Sequence, residues 1–255
     1  MGRAGEGWKP KINTLSSPLP QGERNEEKNI MKQYVISLGG SLVNPGKINV
    51  PYLRDLRKLL LGEVKKGARF FLVVGGGQPA RQYQDAGRRI TNLNGEDLDW
   101  VGIGATKQNA ELVRVIFGKL AYGAVLSDPS NKINTPAKIN VFSGWKPGRS
   151  TDFDAVKVAE VHKIKTVINL SNVDYVYDSD PRKNKRAKKL PRLSWAEFQK
   201  MFSARWNPGA HVPFDPTGAR LAAKRGIRVI VANGAKLKNL AAVFSGRRFK
   251  GTVIG

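Results

Sequence analysis

The stretch RFFLVVGGGQPAR, residues 69–81, decides how this chain is read. Its apolar run has no alternation, which is the pattern of a short strand buried on both faces. The run stops at Gly75, three glycines follow, and a helix is expected to begin near Gln78. A strand, a glycine turn and a helix start together make an anion site from backbone N–H groups and the helix dipole. That dipole is worth about half a positive charge. Arg81 falls in the first turn of the expected helix, placed to fork onto a phosphate. A plain tight turn gives the same local pattern, and no G-x-G-x-x-G spacing is present, so this is not a Rossmann fingerprint.

Working outward, the same punctuation recurs. YVISLGGSL (34–42) is a strand running into Gly39, Gly40 and Ser41, either a tight turn or a second phosphate loop. In NVPYLRDLRKLLLGEVKKG (49–67), Asn49 is a cap, Pro51 suits a first turn, and Leu53, Leu56, Leu60 and Val64 recur at helical spacing up to Gly67. A longer helix is expected around residues 98–119. INVF (139–142) and TVINL (166–170) read as strands on either side of a helix starting near Thr151. SWAEFQKMF opens with Ser194 and Glu197 at capping-box spacing. IRVIVA (227–232), a helix from Lys236 and GTVI (251–254) complete the alternation. Apolar strands separated by helices argue an α/β fold with a parallel sheet covered on both faces, and ligands at the carboxyl ends of its strands.

Two further loops sit at such ends. GWKPGRSTDFDA (144–155) carries two cations and leads into Ser150, Thr151 and Asp152, which read either as a helix cap or as a phosphate-gripping loop with Asp152 as its organiser. NLSNVDYVYDSDP (169–181) offers polar and aromatic groups for a base and ribose, although Asx-rich turns look alike. PRKNKRAKKLPR (181–192) holds seven cations and no acid. It reads as a solvated loop, a polyphosphate clamp or a nucleic-acid patch, but its cations are not interleaved with aromatics as in a single-strand stacking platform.

Composition removes several classes. The 255 residues contain no cysteine and 2 histidines, His162 and His211, so disulfides and thiolate metal sites are out and a histidine-rich site is disfavoured. No apolar run approaches the ~20 residues of a membrane span. P-loop, protein-kinase and nucleophilic-triad patterns are missing. Lys+Arg outnumber Asp+Glu by 44 to 20, a net charge of +24. Such a field attracts polyanions, so a nucleic-acid-binding protein is the rival from another class. Residues 1–30 show no sustained period and are read as a disordered extension, with Met31, just before the first strand, as the expected natural start.

In order, SLGGSL, VVGGGQPAR, GWKPGRSTDFDA and NLSNVDYVYDSDP resemble the amino-acid-kinase superfamily, and within it the archaeal-like uridylate (UMP) kinases. The resemblance covers about residues 31–255. It implies a three-layer αβα sandwich around a mostly parallel eight-stranded sheet, with a UMP-binding part at about 31–160 and an ATP-binding part at about 161–255. It also implies transfer of the ATP γ-phosphoryl group to UMP in pyrimidine nucleotide biosynthesis, with Mg²⁺ accompanying ATP. A cytoplasmic homo-oligomer, commonly a hexamer, without membrane or specific nucleic-acid partners, belongs to the same expectation.

Carried over by residue, the resemblance puts Gly76, Asp99, Trp145, Lys146, Pro147, Gly148, Arg149, Ser150 and Thr151 around UMP. Gly40, Ser41, Gly77, Arg81, Ser171, Asn172, Tyr177 and Asp180 would serve ATP, with Arg81 and Asp152 in catalytic roles. Relatives that phosphorylate a carboxylate, a carbamate or isopentenyl phosphate are the nearest alternatives. Two departures stand out. Ser37 occupies the place of a usual lysine, and Tyr175 replaces the glycine of N-V-D-G-V-Y, which should alter the turn there. Arg81, Lys146 and Arg149 are the cations expected to make up for the lysine.

Overall fold

Strands that are apolar throughout need cover on both faces, and a computed structural model of the chain supplies it. The structure describes residues 32–181, 183–202 and 213–255. The expectations for residues 1–30, Met31 and His211 lie outside the described residues.

In chain order the elements are β1 (Gln33–Leu38), α1 (Gly40–Val43), α2 (Val50–Lys65), β2 (Arg69–Val74), α3 (Gly77–Ile90), α4 (Gly95–Val115), β3 (Ile139–Phe142), α5 (Thr151–Val161) and β4 (Thr166–Ser171). There follow β5 (Val176–Tyr177), β6 (Lys189–Leu190), β7 (Arg192–Leu193), α6 (Trp195–Phe202), α7 (Pro216–Arg225), β8 (Arg228–Asn233), α8 (Leu237–Phe244) and β9 (Thr252–Ile254).

The main sheet runs β3-β2-β1-β4-β8-β9-β7. Five strands from β3 to β8 are parallel, β9 is antiparallel to β8, and β7 pairs parallel to β9. The expected eight strands are corrected to seven, because β5 and β6 form a separate two-stranded sheet. Residues along each central strand alternate between two cores. Ile36, Phe70 and Leu72 join α2, α4 and α8 on one face; Val35, Phe71 and Val73 join α5, α6 and α7 on the other.

Local chemistry sets the helix ends. Asn49 Oδ1 accepts from the Tyr52 N–H at 3.3 Å and opens α2. The expected capping box forms, with Ser194 N donating to Glu197 Oε2 at 2.7 Å and Glu197 N donating to Ser194 Oγ at 3.2 Å. Three boundaries differ from the sequence reading. The GGS segment enters a single helical turn, α1, rather than an open loop. The long helix α4 starts and stops about one turn earlier than expected, because Asn94 caps it through the Asp97 N–H at 2.9 Å. Part of the basic run is drawn into β6, which pairs with nearby β5, and β7, whose partner β9 lies far away in sequence.

The chain builds outward from β1 to β2 and β3, then crosses back to lay β4 on the other side of β1. That reversal is a topological switch point, which opens a crevice at the carboxyl ends of β1 and β4.

Candidate active site

Four loops meet the carboxyl ends of β1, β2, β3 and β4, and the first two touch through main chain alone. Gly75 N donates to Leu38 O at 3.0 Å, and Gly39 N donates to Leu170 O at 3.0 Å, tying the glycine turns to neighbouring strands. A Cβ on Gly40 would strike the Gly77 nitrogen and come within 2.5 Å of the Gly75 carbonyl. Gly77 itself has φ +67°, a left-handed conformation that favours glycine. Only glycine fits at Gly40, Gly75 and Gly77, since a Cβ on any of them meets backbone of the others. α3 starts at Gly77 with no side chain capping it, and of its first N–H groups Gln78 N donates to the Asn44 carbonyl at 3.1 Å.

Asn109 was not singled out in the sequence, yet it shapes this turn. From α4 its Nδ2 donates to Gly75 O at 2.9 Å and Gly76 O at 3.0 Å. With the carbonyls held inward, the turn offers its N–H side to a ligand. The signal available was a polar residue on the buried stripe of an otherwise apolar helix face.

Ser37 and Asn169 are register partners on β1 and β4. Both donate to Asp152 Oδ1, Ser37 Oγ at 2.8 Å and Asn169 Nδ2 at 2.6 Å. Asp152 as a residue keeps some exposure, but its carboxyl is enclosed. Burial, offset in part by these two donors, pushes its pKa up to about 6. The neutral donors therefore occupy the position in which a lysine was expected to be compensated.

Segment 144–151 is anchored at four points. Gly144 N donates to Thr106 Oγ1 at 2.8 Å, and Trp145 N to Asp154 Oδ2 at 3.1 Å. Gly148 N donates to Asp99 Oδ2 at 2.7 Å, and Ser150 Oγ to Asp215 Oδ2 at 2.6 Å. Thr106, Asp154 and Asp215 were not foreseen; they come from α4, α5 and the cap of α7. Asp154 is fully buried, its Oδ1 has no hydrogen-bond partner, and burial raises its pKa to about 7. The carboxylates of Asp215 and Asp152 push the same way, and Arg149 opposes them.

The three expected cations are engaged locally. Arg81 is exposed and donates through Nε and Nη2 to Gln78 Oε1 at 3.1 and 2.9 Å. Lys146 lies 4.0 Å from the Trp145 ring centroid and Arg149 lies 4.5 Å from that of Phe153. None of the three contacts Asp152.

On the far side of β4, Ser171 ends the strand and Asn172 is exposed beyond it. Asp174 is held by Asn233 Nδ2 at 2.9 Å and Lys236 Nζ at 2.6 Å, and the lysine contact lowers its pKa. Tyr177 pairs with Lys189 in the small sheet, and the Asp180 carbonyl accepts from Lys183 N and Asn184 N at 3.0 and 2.8 Å. Tyr175 has no positive φ; among the described non-glycine residues only Lys163 does. Tyr175 thus sits in a backbone conformation that tyrosine tolerates.

This arrangement has known counterparts. The model of the amino acid kinase family matches residues 32–233. A uridylate kinase of Thermoplasma acidophilum is 34% identical over 86% of this chain and 95% of its own length. One from Sulfolobus acidocaldarius is 32% identical over 81% of this chain and 92% of its own. The crystal structure of uridylate kinase from Archaeoglobus fulgidus superimposes with a TM-score of 0.74 at 31% identity, covering 88% of this chain and 100% of that one. A UMP kinase from Bacillus anthracis, at 21% identity and TM-score 0.72, shares the fold.

Proposed function

The chain belongs to the amino acid kinase family, and from that premise we propose that it is a UMP kinase, transferring the γ-phosphoryl group of ATP to UMP. The observation that carries this reading is the main-chain contact of the two glycine turns at the switch point, beside a separately anchored 144–151 loop. A transferred phosphoryl group needs positioning and charge neutralisation rather than covalent help from the protein. Backbone N–H groups at Gly40, Ser41, Gly76 and Gly77 supply donors without any side-chain rearrangement.

A UMP phosphate oxygen attacks the γ-phosphorus, the bond from that phosphorus to the β–γ bridging oxygen breaks, and ADP leaves with its electrons. No general base is needed, since the attacking phosphate is already anionic at neutral pH. Asp99 takes a ribose hydroxyl while keeping its bond to Gly148 N, and residues 145–151 wrap UMP. Ser171, Asn172, Tyr177 and Asp180 bind ATP. Arg81 leaves Gln78 to reach the phosphates, and Asp152, fixed by Ser37 and Asn169, orders the start of α5.

Mg²⁺ enters as the ATP complex and neutralises phosphate charge. Among the described residues no group of three or more histidine, cysteine or carboxylate side chains is arranged to hold a metal. A cytoplasmic homo-oligomer is part of the same proposal and rests on the resemblance to uridylate kinases. Coupled ADP release across UMP, CMP, acetylglutamate, aspartate and carbamate tests the assignment. Saturable turnover with UMP is expected, and none with UMP would end it.

A further inference from the structure

α5 opens with two carboxylates, and the mechanism above uses only Asp152. Asp154 lies two residues further on, fully buried. Its neighbours on the buried side of the helix are Ala155, Val156, Val158 and Ala159. Packing alone would favour another small apolar side chain there, since a carboxyl adds a desolvation cost.

The bonding of this carboxyl is one-sided. Oδ2 accepts the Trp145 N–H at 3.1 Å, and Oδ1 is buried without a partner. That single bond ties α5 to the first residue of the 145–151 loop. Gly148 on Asp99 and Ser150 on Asp215 hold the middle and the far end of the loop. The near end depends on Asp154 and, one residue earlier, on Thr106.

A neutral carboxyl suits this place, because it keeps an acceptor for Trp145 and carries no charge. An ionised one does not. The charged groups that act on it are Asp215 from the cap of α7, Asp152 from its own helix and Arg149 from the loop. On the sheet face that α5 covers, β1 and β2 present Val35, Phe71 and Val73, none of which titrates. Burial raises its pKa to about 7; the Trp145 N–H and Arg149 oppose the rise, and the two acids add to it. The guanidinium of Arg149 lies over the Phe153 ring, 4.5 Å from the centroid. A bare buried charge is relieved by water or by a cation, and Trp145 and Arg149 both belong to the loop that would have to move.

We propose that Asp154 is a positioning residue for the acceptor: as the neutral acid it sets the Trp145 end of the 145–151 loop for UMP, and on losing its proton it releases that end. The proposal rests on the reading of 145–151 as the UMP loop. UMP then binds the protonated form and draws a proton onto the protein at alkaline pH, while ATP, assigned to other residues, does not.

The test measures KM for UMP, KM for ATP and kcat on the full-length protein from pH 6.5 to 8.5. A phosphate monoester has its second pKa near about 6, so UMP itself changes little over that range. In the wild type KM for UMP should rise about tenfold or more across it. KM for ATP should change less than about twofold, and kcat should follow one profile in wild type and Asp154→Asn. Asp154→Asn keeps an acceptor and cannot ionise, so its KM for UMP should stay level. Asp154→Val removes the acceptor and should raise KM for UMP at every pH without a slope. Calorimetric titration with UMP at pH 8, in two buffers of different ionisation enthalpy, reads the same event without turnover. About one proton should be taken up per UMP by the wild type, and none by Asp154→Asn. A level wild-type KM, a slope that survives in Asp154→Asn, or no proton uptake by the wild type would overturn the proposal. UMP binding with that proton uptake but without turnover would strike the kinase reading and leave this one standing.

Discussion

Asp154→Asn tests the electrostatics beneath the 144–151 loop. The buried carboxyl titrates near 7 instead of the ordinary 3.8. Each tenfold in proton affinity is about 1.4 kcal/mol, so ionising Asp154 costs the folded state about 4 kcal/mol. The sign follows from a folded-state pKa raised above the unfolded one. The stabilising contribution is complete below about pH 4 and is lost as pH rises through 7. The groups that set it are Asp215, Arg149 and Asp152, around a carboxyl whose first cause of shift is burial. Asparagine keeps an oxygen for the Trp145 N–H, now 3.1 Å from Oδ2, and removes the charge. It also puts an N–H donor where Oδ1 has no partner, a pH-independent cost of about 1–3 kcal/mol. Between pH 4 and 5 wild type has already lost part of its contribution, so the variant should lie within about 1 kcal/mol of wild type at pH 5 and be more stable by about 1–3 kcal/mol at pH 8. Urea unfolding of both proteins at pH 5, 6, 7 and 8 reads this directly. A stability difference that stays flat across that range would refute the reasoning, because the carboxyl would then not titrate between the two ends.

Three other outcomes concern catalysis. Arg81→Ala should lower kcat by about 10²-fold, as for loss of a transition-state donor, and Ser37→Ala by about tenfold or less; near-equal losses in single-turnover assays would show that Ser37 does more than hold Asp152. Asp99→Ala removes both the ribose contact and the Gly148 tether, so KM for UMP should rise at least tenfold while KM for ATP holds; a matching rise for ATP would misplace the two substrates. Gly40→Ala should force the glycine turns apart, costing about 1–3 kcal/mol by thermal or urea unfolding and most of the turnover; full activity would mean that the turns need not touch.

Much of the frame is legible in the sequence because its signals are local. Residues 69–74, 139–142 and 166–171 are mostly apolar runs ended by glycine or polar turns, and each is a strand. Asn49, Ser150 and Ser194 act within three residues of themselves. What escaped is long-range. β7 is two residues long and exists only because β9, some sixty positions later, lies beside it. The single turn α1 carries no period to detect. Within the candidate site, the glycine turns were legible as strand–turn–helix punctuation, while Asp99 was reached only through the resemblance. Asn109, Thr106, Asp154 and Asp215 were not legible, since each acts on a backbone group more than eight residues away or on a side chain of another element. The Ser37 position shows both sides of this. Its missing charge was visible in the sequence. Its cross-strand partner Asn169, and their shared hold on Asp152, needed the register of β1 against β4.

The contact of Gly40 with Gly75 and Gly77 bears on how such an enzyme could be redesigned. Its geometry is written in main-chain atoms, so exchanging side chains elsewhere leaves it standing, while any side chain added to Gly40 or Gly77 damages it. The groups that would choose the acceptor, at Asp99 and along residues 144–151, lie on other elements and are fastened by their own hydrogen bonds. The two tasks are therefore separable. Libraries confined to those acceptor positions can search for new phosphoryl acceptors, with the transfer geometry carried along unchanged.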